Sequence, residues 1–266
     1  MTTDKSGNSG VDTRGRCEML RPNAMSAAPT LSVVVACKNP GPALTATLES
    51  VWAQRHVQPE IVVIDRGSTD GTREWLETQR SRLATTVAAL GARHYDALNQ
   101  GVARATGEWV HFLGAGDRLV GDMILSEALN WARKTDAGVV AGEAAFDDGR
   151  ICKLGSRVNA LARNFVHLQA AFYRRSLFAE NGSFDLSFAE EADYEFHVRL
   201  WKSRVRFKPI PLRIAACVAS ERSHRSNRWL RWREECRVRH RYFATWRSLP
   251  WDAFSFVRSM GGSKSR

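Results

Sequence analysis

From Leu31 onward the chain alternates short apolar runs with stretches whose apolar residues recur at helical spacing. LSVVVAC is continuous and β-branched, which predicts a strand buried on both faces. PALTATLESVWAQ follows with Leu44, Leu48 and Val51 on one helical face. EIVVID predicts a second strand, TREWLETQRSRLA a second helix and VAAL a short third strand. YDALNQGVARAT predicts a helix of small residues, EWVHFL a strand running into GAGDRL, MILSEALNWARK an amphipathic helix and AGVVAGEAAF a further strand. This βαβαβ order predicts an α/β fold with a mostly parallel, doubly wound sheet and helices on both faces. Past about residue 150 the elements mix: ICKLG, LQAAFYRR, a helix over 189–202 and the strand-like VRFKPIPLRIAACV. A dinucleotide-binding GxGxxG after the first strand is absent, and CKNPGP stands in its place.

Acids sit where the apolar runs stop. Asp65 closes VVID and is followed at once by the turn residues RGSTDG. Its carboxylate either hydrogen-bonds that turn's own amides or faces a ligand at the carboxyl edge of the sheet. Asp117 lies just past EWVHFL, where a carboxylate either stabilises the turn or holds a divalent cation that in turn holds a diphosphate. Asp96 and Asn99, three apart on one helix face, mark either a simple N-cap or a first turn beside a polar site.

AEEADYEFHVRLW carries a sharper signal. Glu191, Glu195, Arg199 and Lys202 form a polar face, with Glu195 and Arg199 spaced as an ion pair. Asp193 instead continues the apolar row of Phe196 and Leu200, so it points toward the buried side. An acid that merely satisfies the helix dipole is better supplied by Glu190 or Glu191. A carboxylate placed like Asp193 serves as a general base when a substrate hydroxyl reaches it.

Composition narrows the class. With 44% hydrophobic and 25% charged residues the chain is an ordinary globular protein, and no apolar run approaches a membrane span. Residues 1–29 lack an apolar core segment and read as a disordered leader rather than a secretory signal, with Met25 a second candidate start. Five cysteines without a CxxC pair favour free thiols and a cytoplasmic setting. The net charge of +11 is uneven, since residues 222–247 hold nine arginines against two acids and leave +4 for the rest. Interleaved with Trp229, Trp232, Trp246 and Trp251, these arginines suit either an anionic membrane surface over residues 222–251 or a packed terminal helix with a solvated basic face.

Several of these motifs, in this order, resemble the family 2 glycosyltransferases. VVIDRGSTDGT, YDALNQGVARATGEWVHFLGAGD, LQAAFYRRSLFAENGSFD and EEADYEFHVRL carry the resemblance, from about Leu31 to His224, closest to the branch with colanic-acid and O-antigen enzymes. It implies a GT-A fold over residues 30–221, with a nucleotide-sugar half at 30–120, an acceptor half at 121–221 and a basic helical segment at 222–266. It also implies roles. Asn39, Asp65, Ser68, Asp96 and Asn99 match donor-site positions, Asp117 the last acid of the metal motif, Asp193 the catalytic base, and His224 a further ligand for metal or diphosphate. The implied reaction is inverting transfer from a nucleotide-diphosphate sugar to a glycan or lipid-linked acceptor, aided by Mg²⁺ or Mn²⁺, at the cytoplasmic side of a membrane. This sequence departs from the family pattern in three places: Gly114 and Gly116 where others have carboxylates, ACKN at the end of the first strand, and ALGARH where an acidic dipeptide is common. The thinned metal motif leaves a non-catalytic binding module as the alternative. Nucleic acid binding rests on the basic tail alone, and no nucleic acid partner is expected.

Overall fold

The computed structural model describes residues 30–156, 159–219 and 227–261. The expected leader at 1–29 and His224 lie outside them. One mixed sheet organises the chain. Its first strands are β1 (Leu31–Cys37), β2 (Glu60–Asp65), β3 (Thr85–Ala88), β4 (Trp109–Gly114) and the short β5 (Arg118–Leu119). β6 (Val139–Phe146), β7 (Ile151–Cys152), β8 (Ala171–Arg174) and β9 (Phe207–Cys217) follow. The order across the sheet is β3-β2-β1-β4-β8-β6-β9-β5, with β7 paired to β6. The expected parallel, doubly wound pattern holds for β3-β2-β1-β4. Beyond β4 the sheet is mixed: β8 runs antiparallel between β4 and β6, and β9 parallel to β6. That change of direction falls where the sequence pattern stops alternating cleanly.

The continuous apolar strands are buried because helices cover both faces. Alternate residues of a strand point to opposite faces, and the two clusters divide accordingly. Val34, Ala36, Val62 and Ile64 pack with α3 (His94–Arg104) and α7 (Ala192–Lys202). Val33, Val35, Ile61 and Val63 pack with α1 (Pro42–Trp52) and α4 (Ile124–Arg133). Each such valine or isoleucine side chain contributes about 1.5–3 kcal/mol relative to exposure. Gly101 lets α3 lie close on β1, since a Cβ there would meet Val34 Cγ1 at 2.3 Å.

Some boundaries move. The second helix, α2 (Thr72–Thr78), stops well before Ala84 and passes into a 3₁₀ turn at Arg80–Arg82. The third strand begins at Thr85, two residues before VAAL, as a half-exposed edge whose pairing with β2 outweighs its weak apolar pattern. Short helices α5 (Asn159–Ala162) and α6 (Ser176–Glu180) precede α7, which begins at Ala192 rather than 189. The basic segment forms α8 (Arg228–Tyr242) and α9 (Thr245–Gly261).

The polar face expected on α7 is not a solvent face. Glu191 and Glu195 are 6% and 1% exposed, covered by α8. Glu195 pairs with Arg199 at 2.8 Å, as its spacing predicts, and also accepts a hydrogen bond from Tyr242 Oη. Charges at helical spacing were compatible with either water or a polar neighbour, and here the neighbour is the C-terminal helix.

Candidate active site

The parallel strands place three turns side by side at their carboxyl edge. Cys37 of β1 pairs in register with Asp65 of β2, and Ala36 with Gly114 of β4, so the loops after β1, β2 and β4 adjoin. Asp65, Asn39 and Asp117 belong to these loops, and the first turn of α3 carries Asp96 nearby at the same edge.

Around Asp65 the bonding is local. Its carboxylate is 1% exposed and accepts from Ser68 N at 3.0 Å and Ser68 Oγ at 2.5 Å. Ser68 Oγ in turn accepts from Asn39 N at 2.9 Å, and Asn39 Oδ1 accepts from Thr69 N at 2.8 Å. Asp70 completes the tie by accepting from Gly41 N at 2.9 Å and from Thr72 Oγ1 at 2.6 Å. Asp65 therefore does bind its own turn, and Asn39, held in the left-handed region at φ 48°, is locked to it. The outcome is a rigid double turn joining β1 to β2, with Arg73 Nε 3.8 Å from Asp65 Oδ2.

Asp117 is 8% exposed, and burial pushes its carboxyl up to about 6. It accepts from Val218 N at 3.0 Å, while neighbouring Asp147 accepts from Ala219 N at 2.9 Å. Both glycines of GAGD have a physical reason. A Cβ at Gly114 would meet Asp117 Oδ2 at 2.4 Å, and Gly116 sits at φ +113°, a conformation L side chains rarely adopt. Side chains at these two positions would require Asp117 to shift and would strain the backbone at 116. Among the described residues no group of three or more His, Cys, Asp or Glu side chains could cage a metal. The donor set present fits a hard cation that takes one carboxylate and completes its shell with substrate phosphate oxygens.

Asp193 is built from distant parts. Tyr95 of α3 donates its hydroxyl to Asp193 Oδ1 at 2.8 Å, and Tyr194 N reaches the same oxygen at 2.8 Å. Asn164 Nδ2 donates to Oδ2 at 2.7 Å. Because a carboxylate can only accept, Asn164 must turn its amine toward Asp193 and its carbonyl toward His197 Nδ1, 2.8 Å away. His197 then donates from Nδ1 and accepts at Nε2 from Tyr173 Oη at 2.7 Å. Burial pushes this imidazole down to about 3, so it stays neutral. Two lone pairs of Oδ1 are used and one of Oδ2, which leaves one acceptor position on Oδ2. Burial raises the carboxyl of Asp193 above the usual aspartate range, partly offset by these donors.

The helix that carries Asp193 is anchored from outside. Glu234 of α8 accepts from the backbone N–H groups of Ala189, Glu190 and Glu191 at 2.8, 2.8 and 3.0 Å. That carboxylate ties down the segment leading into α7, ahead of the helix's first residue at Ala192. Glu191 instead faces Arg231 Nε at 3.0 Å. Asn99 also turns structural: it exchanges two hydrogen bonds with the backbone of Phe184, at 2.9 and 3.0 Å. Asp96 remains half-buried, with Gln100 Nε2 at 3.4 Å from its Oδ1.

Sequence reading alone missed Tyr95, Asn164, His197, Tyr173 and Glu234. Tyr95, Tyr173 and His197 lie within the family-like motifs, but none of the five carries a local signal of its role, since their partners are 24 to 98 residues away. Several tail arginines are spent internally: Arg239 on Asp252 at 2.6 Å, Arg241 on Asp185 at 2.7 Å and Arg237 on Ser187 O at 3.2 Å. A cavity of about 950 Å³ lies at the far end of α7 beside Trp201, Lys202, Arg206 and Phe207, and no expected site residue lines it.

A family model described as "Glycosyl transferase family 2" matches residues 32–182. A "PGL/p-HBAD biosynthesis glycosyltransferase" of Mycobacterium bovis is 31% identical over 192 residues, covering 66% of this chain and 72% of that protein. The solved structure of S. aureus TarS 1-349 in complex with UDP-GlcNAc matches with a TM-score of 0.67 at 19% identity, covering 88% of this chain and 73% of that one. Mannosyltransferase PcManGT from Pyrobaculum calidifontis, in complex with GDP-Man and Mn2+, matches with a TM-score of 0.62 at 20% identity, covering 90% and 77%. The fold is thus of the GT-A type. A sheet edge with a locked double turn, a lone loop aspartate and a deeply anchored Asp193 stands in a chain that belongs to glycosyl transferase family 2 and is a glycosyltransferase.

Proposed function

We propose that this glycosyltransferase works by inversion, moving a sugar from a nucleotide-diphosphate donor to a hydroxyl of a glycan or lipid-linked acceptor in cell-surface polysaccharide or glycolipid synthesis. The observation that carries this reading is the single open acceptor position on Asp193 Oδ2, held in place by Asn164 and Tyr95. The acceptor O–H gives its proton to Oδ2 as its oxygen bonds to the anomeric carbon. The bond from that carbon to the diphosphate oxygen breaks on the opposite face, and the nucleoside diphosphate leaves with the electron pair. One base suffices, because the acceptor itself is the nucleophile.

Asp65, Ser68 and Asn39 form the floor on which the nucleotide rests, and Asp96 lines the sugar side. Asp117 would hold a Mg²⁺ or Mn²⁺ ion, which when bound would supply positive charge against the leaving diphosphate. His224 is proposed as a further ligand on the strength of the sequence resemblance alone. UDP-GlcNAc and GDP-Man in the two structural neighbours support a nucleotide-sugar donor. The M. bovis relative's role in PGL/p-HBAD biosynthesis supports a lipid-linked acceptor, reached by peripheral association with the cytoplasmic face of a membrane. Among the described residues no helix is long and apolar enough to cross one.

The test is a thermal-shift panel of UDP-, GDP- and dTDP-sugars, each with and without Mn²⁺. A ligand that binds only the folded state raises the melting temperature. One nucleotide should give a metal-dependent shift that Asp117→Ala abolishes. Because burial pushes the Asp117 carboxyl up to about 6, protons should compete with the metal and the metal-dependent part should fade as the pH falls below that range. No shift with any donor would contradict the reading.

A further inference from the structure

α9 is amphipathic in the opposite sense to a helix packed for burial. Ser248 and Ser255 are fully buried against the protein, and Asp252 pairs inward with Arg239 and with His240 Nε2 at 2.6 Å. The outward side is apolar: Trp246 is 73% exposed, Leu249 58%, Phe254 55% and Val257 68%. At 100° per residue, positions 246, 249, 250, 253 and 257 fall in one arc of roughly 100°, with Phe254 just beyond it. Pro250 and Ala253 are exposed as well, and no charged residue lies in that arc. Trp229 on α8, 52% exposed, extends the patch through its edge contact with Phe256 at 6.0 Å. Of the twelve large hydrophobic residues exposed among the described residues, six lie on these two helices, so the patch is a concentration rather than scatter.

Charge selects the occupant. Residues 227–261 hold eight arginines against three acids, a net +5. Arg247 is exposed at the border of the arc, its guanidinium 5.3 Å from the centre of the Trp246 ring. A tryptophan, leucine and phenylalanine face with a basic border is the composition of a helix lying in the plane of an anionic lipid surface. A second copy of the chain would bring a like-charged pair of helices against this one, which disfavours self-association.

We propose that the outward face of α9, extended by Trp229, inserts into the headgroup layer of an anionic bilayer and docks the enzyme there. Its purpose rests on the reading that the acceptor is lipid-linked, but docking itself requires neither donor nor acceptor. Most of the basic side chains of these two helices play a smaller part, because Arg231, Arg237, Arg239, Arg241 and Arg258 are engaged within the protein. The apolar arc supplies depth of insertion and Arg247 supplies headgroup attraction.

The experiment is co-sedimentation with vesicles of phosphatidylcholine alone or mixed with phosphatidylglycerol, without substrates. The protein should pellet with the mixed vesicles, and more weakly with phosphatidylcholine. The triple variant Trp246→Ser, Leu249→Ser, Val257→Ser should lose at least about ten-fold in partitioning, since each buried methylene contributes to insertion. Arg247→Gln should lose a few-fold and reduce the salt dependence. The melting temperature and donor-induced shift of the triple variant should match wild type, because these side chains leave the core untouched. Failure to pellet with mixed vesicles, or equal pelleting by the triple variant, would overturn the proposal. A concentration-dependent dimer in light scattering that the triple variant abolishes would also overturn it, assigning the face to a second copy. Transfer to a soluble acceptor, measured separately, keeps that failure distinct from failure of the proposed reaction.

Discussion

The turn around Asp65 and the surroundings of Asp193 solve similar problems by opposite means. At Asp65 a buried carboxylate is satisfied by Ser68, three residues on, and the loop after β1 closes the same short network. At Asp193 the partners come from α3, the segment before β8, and α7 itself, while α8 braces the helix end. A site built on a local turn keeps its shape wherever the two strands pair. A site built from four separate pieces of chain keeps its shape only when the whole domain is assembled.

This contrast predicts where substitutions act. Asp193→Asn should cut kcat by about 10²–10⁴-fold with donor binding unchanged, because it removes the group that takes the proton and leaves the donor edge intact. Steady-state kinetics with calorimetric donor titration would check it. Glu234→Gln should come next. Replacing a charged acceptor of three backbone N–H groups should lower stability by about 2 kcal/mol, read by denaturant unfolding, and reduce kcat about ten-fold or more as the α7 start loosens. Unchanged stability would show that the brace from α8 is dispensable.

Asn164→Ala should act on kcat rather than KM, by about ten-fold. Losing a donor to the ionised form raises the Asp193 pKa, so the acidic limb of the kcat–pH profile should move to higher pH. A purely structural role for Asn164 would lower activity without moving that limb. Ser68→Ala should have the smallest effect. It loses one hydroxyl that serves Asp65 and Asn39, worth about 1 kcal/mol, and should raise the donor KM about five-fold with kcat preserved.

The same contrast explains what could be read in the sequence. β1, β2 and β4 were legible because strands buried on both faces need continuous apolar runs, and Asp65 was legible because turn chemistry is local. Asp193 stood out because an acid on an apolar helical row demands a partner. The partners themselves were not legible: nothing beside Asn164 or Glu234 in the sequence says that a carboxylate or a helix terminus will meet it. The spacing of Glu191 and Glu195 marks a polar face but not what covers it, since it fits water and α8 equally well. Gly114 and Gly116 read as a weakened metal motif, whereas their geometry gives each a local reason: a Cβ at 114 would press on the Asp117 carboxylate, and position 116 sits at a φ that L side chains rarely adopt.

The most direct test of the account is the anomeric configuration of the product, followed by proton NMR during the first turnovers. A single displacement with Asp193 as base requires the transferred sugar to emerge with the configuration opposite to that of the donor. Retention of configuration would contradict it, because it requires a second displacement or a front-face route in place of a single attack by the acceptor oxygen.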